Sequence, residues 1–119
     1  MIGNPPRGFI TLVRVQGLDE ARVKARAEAL AGFLRQGVER IRSGAEEDGD
    51  GPPSAMLLGP MPSPIAKINR RVRWQLLIRA RRRGPLRWLL GHLRQHLGPE
   101  GNGAAQTLAV ADVDPQSLL

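Results

Sequence analysis

The chain has 119 residues, 41% of them hydrophobic and 24% charged, which is ordinary usage for one compact domain spanning 1–119. A chain of this length buries roughly two-thirds of its unfolded surface on folding. There is no cysteine, which excludes a disulfide scaffold, a thiol nucleophile and a thiolate metal site. Eighteen Lys+Arg against eleven Asp+Glu give +7, and all the cations but Lys24 and Lys67 are arginine. A pI near 11.5 points first to nucleic acid as partner, then to an acidic protein or lipid surface. No apolar run approaches the roughly 18 residues of a membrane span, and Met1–Arg7 has no signal-peptide pattern. A cytoplasmic, nucleoid-associated protein is expected.

Residues 1–7 read as an extended, proline-fixed lead-in. Residues 8–16, β-branched and aromatic and ending at Gly17, read as a strand. Asp19 stands where a helix N-cap belongs. Val23, Ala27, Leu30, Leu34, Val38 and Ile41 then form the apolar stripe of a helix over 19–43. Residues 44–54 are an acidic, glycine-rich loop, expected to be mobile. Residues 55–61 predict a short strand that Pro60 stops or pushes to a sheet edge, with Pro62 and Pro64 holding the next stretch extended. The clearest strand is 70–80. Val72, Trp74, Leu76, Ile78 and Ala80 point one way; Arg71, Arg73, Gln75, Leu77 and Arg79 point the other. Pro85 opens a second helix over 85–97, with a stripe of Leu86, Leu89, Leu90, Leu93 and Leu97. A glycine-rich loop over 98–105 leads to a last strand over 106–113.

The order β-α-β-β-α-β predicts an α+β, ferredoxin-like fold: a four-stranded antiparallel sheet with both helices on one face and strands 1 and 3 in the centre. The Val/Trp/Leu/Ile side of strand 3 goes beneath the helices. Its arginine side then lies on the uncovered face.

That uncovered face is the candidate site. No acid occurs between residues 51 and 99. Lys67, Arg70, Arg71, Arg73, Arg79, Arg81, Arg82, Arg83 and Arg87 crowd one stretch, and Arg14 on strand 1 joins them. Arginines two apart on a strand stand roughly 6.6–6.8 Å apart, of the same order as phosphate spacing along a nucleic-acid strand. The face is expected to lack the apolar content of a core. With only Phe9, Phe33, Trp74 and Trp88 as aromatics, and both tryptophans expected in the core, base stacking gives way to phosphate contact that is salt-sensitive and weakly sequence-selective. A solvated charged face, or arginines paired with acids of a neighbouring domain, is the plain alternative.

Other constellations fail. There is no phosphate-binding Gly-x-x-x-x-Gly-Lys-Ser/Thr loop. His92 and His96 have a zinc-compatible i, i+4 spacing but no third ligand nearby, so no metal or other cofactor is expected. Glu46, Glu47, Asp48 and Asp50 sit in the acidic loop, unsuited to positioned acid–base chemistry. Asp112 is expected to pair with Arg14 across strands 4 and 1, and Asp114 to cap the closing turn through the Ser117 amide. No catalytic residues are assigned.

Specific residues carry a resemblance. Leu58-Gly59-Pro60-Met61-Pro62-Ser63-Pro64-Ile65-Ala66-Lys67 resembles the "GP-x-P-A-P-I-A-K/R" segment of the PriA-type primosomal protein N′ family. Arg71–Ile78 is similar to its "R-Y-R-Y-Q-L-L-I" strand, with Val72 and Trp74 in place of the tyrosines, and Asp112–Leu119 to its "D-V-D-P-x-S-L-L" terminus. Pro5-Pro6 with Phe9 echoes its "Y-P-P-F" lead into the first strand. The resemblance implies a C-terminal domain of a replication-restart DNA helicase, with a fold like ribosomal protein S10. It implies binding of forked or single-stranded DNA beside the helicase lobes, the single-stranded DNA-binding protein and other primosome proteins. The helicase lobes and zinc-binding cysteines of that family are absent from this sequence, so a non-catalytic domain excised from a larger protein is expected. An S10-like RNA-binding module and an intramolecular or protein docking domain remain the alternatives.

Overall fold

The computed structural model describes residues 8–44 and 54–113. The expectations for the lead-in at 1–7, for most of the acidic loop and for Asp114 with Ser117 lie outside the described residues. The elements run β1 (Phe9–Gly17), α1 (Glu20–Gly44), β2 (Ala55–Ile68), β3 (Arg71–Ala80), α2 (Arg83–Leu93), β4 (Gly98–Glu100) and β5 (Thr107–Val113). Single turns of 3-10 helix follow α2 at Arg94–His96 and precede β5 at Gly103–Ala105. The class is α+β with one antiparallel sheet and two helices, as expected. The four-stranded βαββαβ sheet is corrected: five strands pair in the order β2-β3-β1-β5-β4. The added strand, β4, lies in the glycine-rich stretch read as a loop. Three residues are too few to show alternation, so its pairing with β5 leaves no signature in the sequence.

The periodicities explain the layers. Thr11, Val13 and Val15 of β1, Val72, Leu76, Ile78 and Ala80 of β3, and Thr107 and Ala109 of β5 face the helices and are buried. They meet Val23, Ala27, Leu30, Leu34 and Val38 of α1 and Leu86, Leu89 and Leu93 of α2 in one continuous apolar cluster. Asp19 caps α1: its carbonyl accepts from the Val23 amide at 3.0 Å, and its side chain from the Arg22 amide at 3.3 Å. At the helix crossing Gly37 leaves a notch for Leu89, whose Cδ1 lies 2.3 Å from where a Cβ would stand.

β2 runs to Ile68, so Pro60 does not stop it, and of the two outcomes expected of Pro60 the edge position is the one found. It forms one edge of the sheet, where a missing proline N–H breaks no ladder on the outer side. Its pairing with β3 shifts twice. Gly59-Pro60, joined by a cis peptide bond, stand opposite Leu76 alone, and Ser63–Ala66 stand opposite Arg73 alone. Beyond the second bulge the hairpin closes through Ile68 paired with Arg71 across the two-residue loop Asn69-Arg70. Both loop residues have positive φ, 50° and 67°, as a type I′ turn requires.

Candidate nucleic-acid interface

β3 places Arg71, Arg73, Gln75, Leu77 and Arg79 on the face away from the helices, as its alternation predicts. Trp74 lies on the helix side, half-buried, with Lys24 Nζ 5.8 Å from its ring. Trp88 is corrected: it is 40% exposed rather than core. It precedes Leu89 on α2 and so turns about 100° off the buried stripe. Its ring meets His92 edge-on at 5.0 Å and lies 5.9 Å from the Arg40 guanidinium. His96 instead packs against Phe33 at 4.1 Å, so the two histidines serve different ring contacts.

The open face is also less purely cationic than expected. Cross-strand register sets Leu58, Leu77 and Leu12 in one row, Met61, Gln75, Arg14 and Val110 in the next, and Arg73, Gln16 and Leu108 beyond. Leu58 and Val110 are exposed there. The expectation that this face lacks apolar content is therefore corrected. Alternation assigned sides to β3, but only the pairing register brought leucines from four strands together.

The ten candidate residues divide into groups. Arg14 is held by Asp112 in the expected cross-strand ion pair. Arg73 and Arg79 are half-buried along the sheet. Lys67, Arg70 and Arg71 stand exposed at the end of the β2–β3 hairpin, where every residue from 64 to 71 is exposed. They have no ion-pair partner among the described residues. Arg81, Arg82, Arg83 and Arg87 gather at the start of α2. The Arg81 amide donates to Ser54 O at 2.9 Å, and the Arg83 guanidinium lies 5.3 Å from the Phe9 ring. α2 has no acid in its first turn and no side-chain cap at Arg82. Its positive end thus carries cations where a helix favours anions.

The sequence reading missed Arg26. It lies on α1 yet is only 9% exposed. Its Nη1 donates to Gly98 O at 2.7 Å, Thr107 O at 3.1 Å and Thr107 Oγ1 at 3.2 Å, and its Nη2 to His96 O at 3.0 Å. Its Nε lies 3.5 Å from the Glu100 carboxylate. It borders a cleft of about 670 Å³ with Arg22, Phe33 and Glu100. Those bonds turn its guanidinium toward the chain's own carbonyls, so Arg26 ties α1 to β4 and β5. Also missed were Ile65 and Ile68, exposed beside the hairpin cations. The Asn-Arg pair between two strand-like runs was the available signal for a turn there.

No helix among the described residues is long and apolar enough to cross a membrane. Two comparisons bear on this arrangement. Residues 1–116 match the family model described as the primosomal protein N C-terminal domain. Over 79 residues, 66% of the chain, the sequence is 32% identical to the replication restart protein PriA of Synechocystis sp.. That match covers 8% of the relative's length. The C-terminal domain family of primosomal protein N is therefore the family to which this chain belongs.

Proposed function

We propose that this chain is a non-catalytic DNA-binding domain of a replication-restart protein, one that grips the sugar–phosphate backbone of forked or single-stranded DNA. The observation that carries this is the exposed set Lys67, Arg70 and Arg71 on the hairpin, without acidic partners among the described residues. The uncapped, arginine-laden start of α2 supports it. Cations crowding a helix N-terminus are locally unfavourable, and a phosphate seated there relieves them. Arg73 and Arg79 join the two clusters along β3. The related restart protein is far longer than this chain, so helicase lobes and primosome partners, the single-stranded DNA-binding protein among them, would engage it from outside the sequence.

Fluorescence anisotropy with forked DNA, single-stranded DNA and hairpin RNA at two salt concentrations tests this reading. Binding to DNA should weaken with salt as counterions are released. Arg71→Ala with Arg73→Ala should lower affinity and reduce the magnitude of the salt slope by about 1.4–1.8, or roughly 0.7–0.9 per lost phosphate contact. An unchanged slope sinks the proposed contact. Equal affinity for hairpin RNA supports the RNA-binding alternative, and failure to bind any of the three supports docking to an acidic protein surface.

A further inference from the structure

We infer that the tip of the β2–β3 hairpin is a wedge for the open end of a base-pair stack in DNA. Ile65 and Ile68 cap or enter the terminal base step, while Lys67, Arg70 and Arg71 hold the flanking phosphates. This rests on the reading that the chain binds DNA, and adds how a branch or duplex end is told from continuous duplex.

Three observations converge on the tip. Ile65 is 61% exposed and Ile68 40% exposed, within a stretch otherwise polar, cationic or small. Folding leaves most of Ile65 and two-fifths of Ile68 in contact with water, apolar surface that a partner can still cover. The bulge of Ser63–Ala66 opposite Arg73 lengthens β2 and leaves Ile65 without a cross-strand partner. Ile68 pairs with Arg71 and so shares its face.

The turn is the second. Asn69-Arg70 has φ of 50° and 67°, where Asn-Gly is the favoured pair. Arg70 carries the strain of a left-handed conformation at the second turn position, where glycine is favoured. A cation held at that cost is accounted for by an anion at the tip.

The third is the chemistry of the set. Two exposed isoleucines beside three cations, at a hairpin end that reaches past β1 by the Ile68–Arg71 pair and its turn, match side chains that enter base steps while neighbouring cations neutralise phosphate. No aromatic lies between residues 56 and 73, so a platform for stacking single bases is not what this tip offers. Two isoleucines are also a small apolar area for lipid anchoring, which needs a longer apolar face or a second signal.

The test uses the full chain and forked DNA carrying 2-aminopurine either at the branch-point pair or deep inside one duplex arm. At saturation, fluorescence should rise at the branch and not within the arm. Ile65→Ser with Ile68→Ser should abolish that rise and weaken fork binding about tenfold or more. It should leave affinity for relaxed closed circular duplex, which has no ends, within about twofold. Arg70→Gly, which the turn accepts, should keep the fluorescence rise and reduce the magnitude of the salt slope by about 0.7–0.9. Fork binding with no change at the branch, or full fork affinity in the double isoleucine variant, overturns the wedge and leaves backbone binding standing. Failure of the wild-type chain to bind fork or circle overturns both readings. Loss of binding to phosphatidylserine vesicles by the isoleucine variant, with fork binding intact, overturns the wedge in favour of a lipid contact.

Discussion

Two arginines on this chain show how little a formal charge says about a residue's work. Arg14 lies on the open face but is engaged by Asp112, with both side chains partly exposed. Pairs of this kind contribute about 0–1 kcal/mol. Their main effect here is to remove one guanidinium from the surface open to phosphate. Arg26 looks like any other polar residue of an amphipathic helix, yet it closes the C-terminal third of the fold through four hydrogen bonds to main-chain and threonine oxygens. Arg26→Ala leaves those acceptors without partners and should destabilise the fold by about 3 kcal/mol, read from the urea midpoint. Arg26→Lys should recover only part of this, because an ammonium lacks the planar fork that reaches several carbonyls at once. Wild-type stability in Arg26→Ala would disprove the tie between α1 and β4.

At the scale of elements, the β2–β3 hairpin is set by its irregularities more than by its alternation. Gly59 has φ of 100°, and a Cβ there would stand 2.8 Å from Gln75 O and 3.3 Å from the Met61 amide nitrogen. Both the dihedral and the backbone neighbours resist a side chain. Gly59→Ala should therefore cost about 1–3 kcal/mol and disturb the strand that leads to the tip. Thermal denaturation checks the first effect, and chemical-shift changes spreading from Leu58 toward Lys67 check the second. A stable Gly59→Ala with unshifted tip resonances would show that the first bulge does not steer the hairpin. The long strands and helices were legible because each repeats a two- or 3.6-residue pattern over several turns: β1, α1, β3, α2 and β5 stand within a few residues of their expected bounds, although α2 proper stops at Leu93 and continues as a 3-10 turn. β2 was half legible. Its edge position and extended course were foreseen from Pro60, Pro62 and Pro64, but its length was not, because on an outer edge prolines need not end a strand.

For the whole molecule, the sheet order puts β1 at the centre, paired on both sides, with α1 and α2 sealing one face. Protection from amide hydrogen exchange should follow this order. The slowest amides are expected along Val13–Val15 and Leu76–Ile78, and the fastest strand amides at Gly98 and Glu100 of β4, which pairs on one side only. Equal protection of β4 and β1 would contradict the stabilities drawn from this topology. Nine of the eighteen cations lie on one part of this frame, at the hairpin end and the start of α2 and along β3 between them.

The amino-acid order alone determined which side of each long strand and helix is apolar, because side-chain periodicity is a local property of the backbone. It also determined that the arginines of β3 point away from the helices, that Asp112 meets Arg14, and which family the motifs resemble. The tertiary structure decided what depends on register between distant segments. It gathered leucines of β1, β2, β3 and β5 among the arginines, buried Arg26 against carbonyls some seventy to eighty residues away in the chain, and turned Trp88 outward. It also brought two isoleucines and three cations to one hairpin tip. Pairing energies between strands are non-local, so no window of sequence contains them.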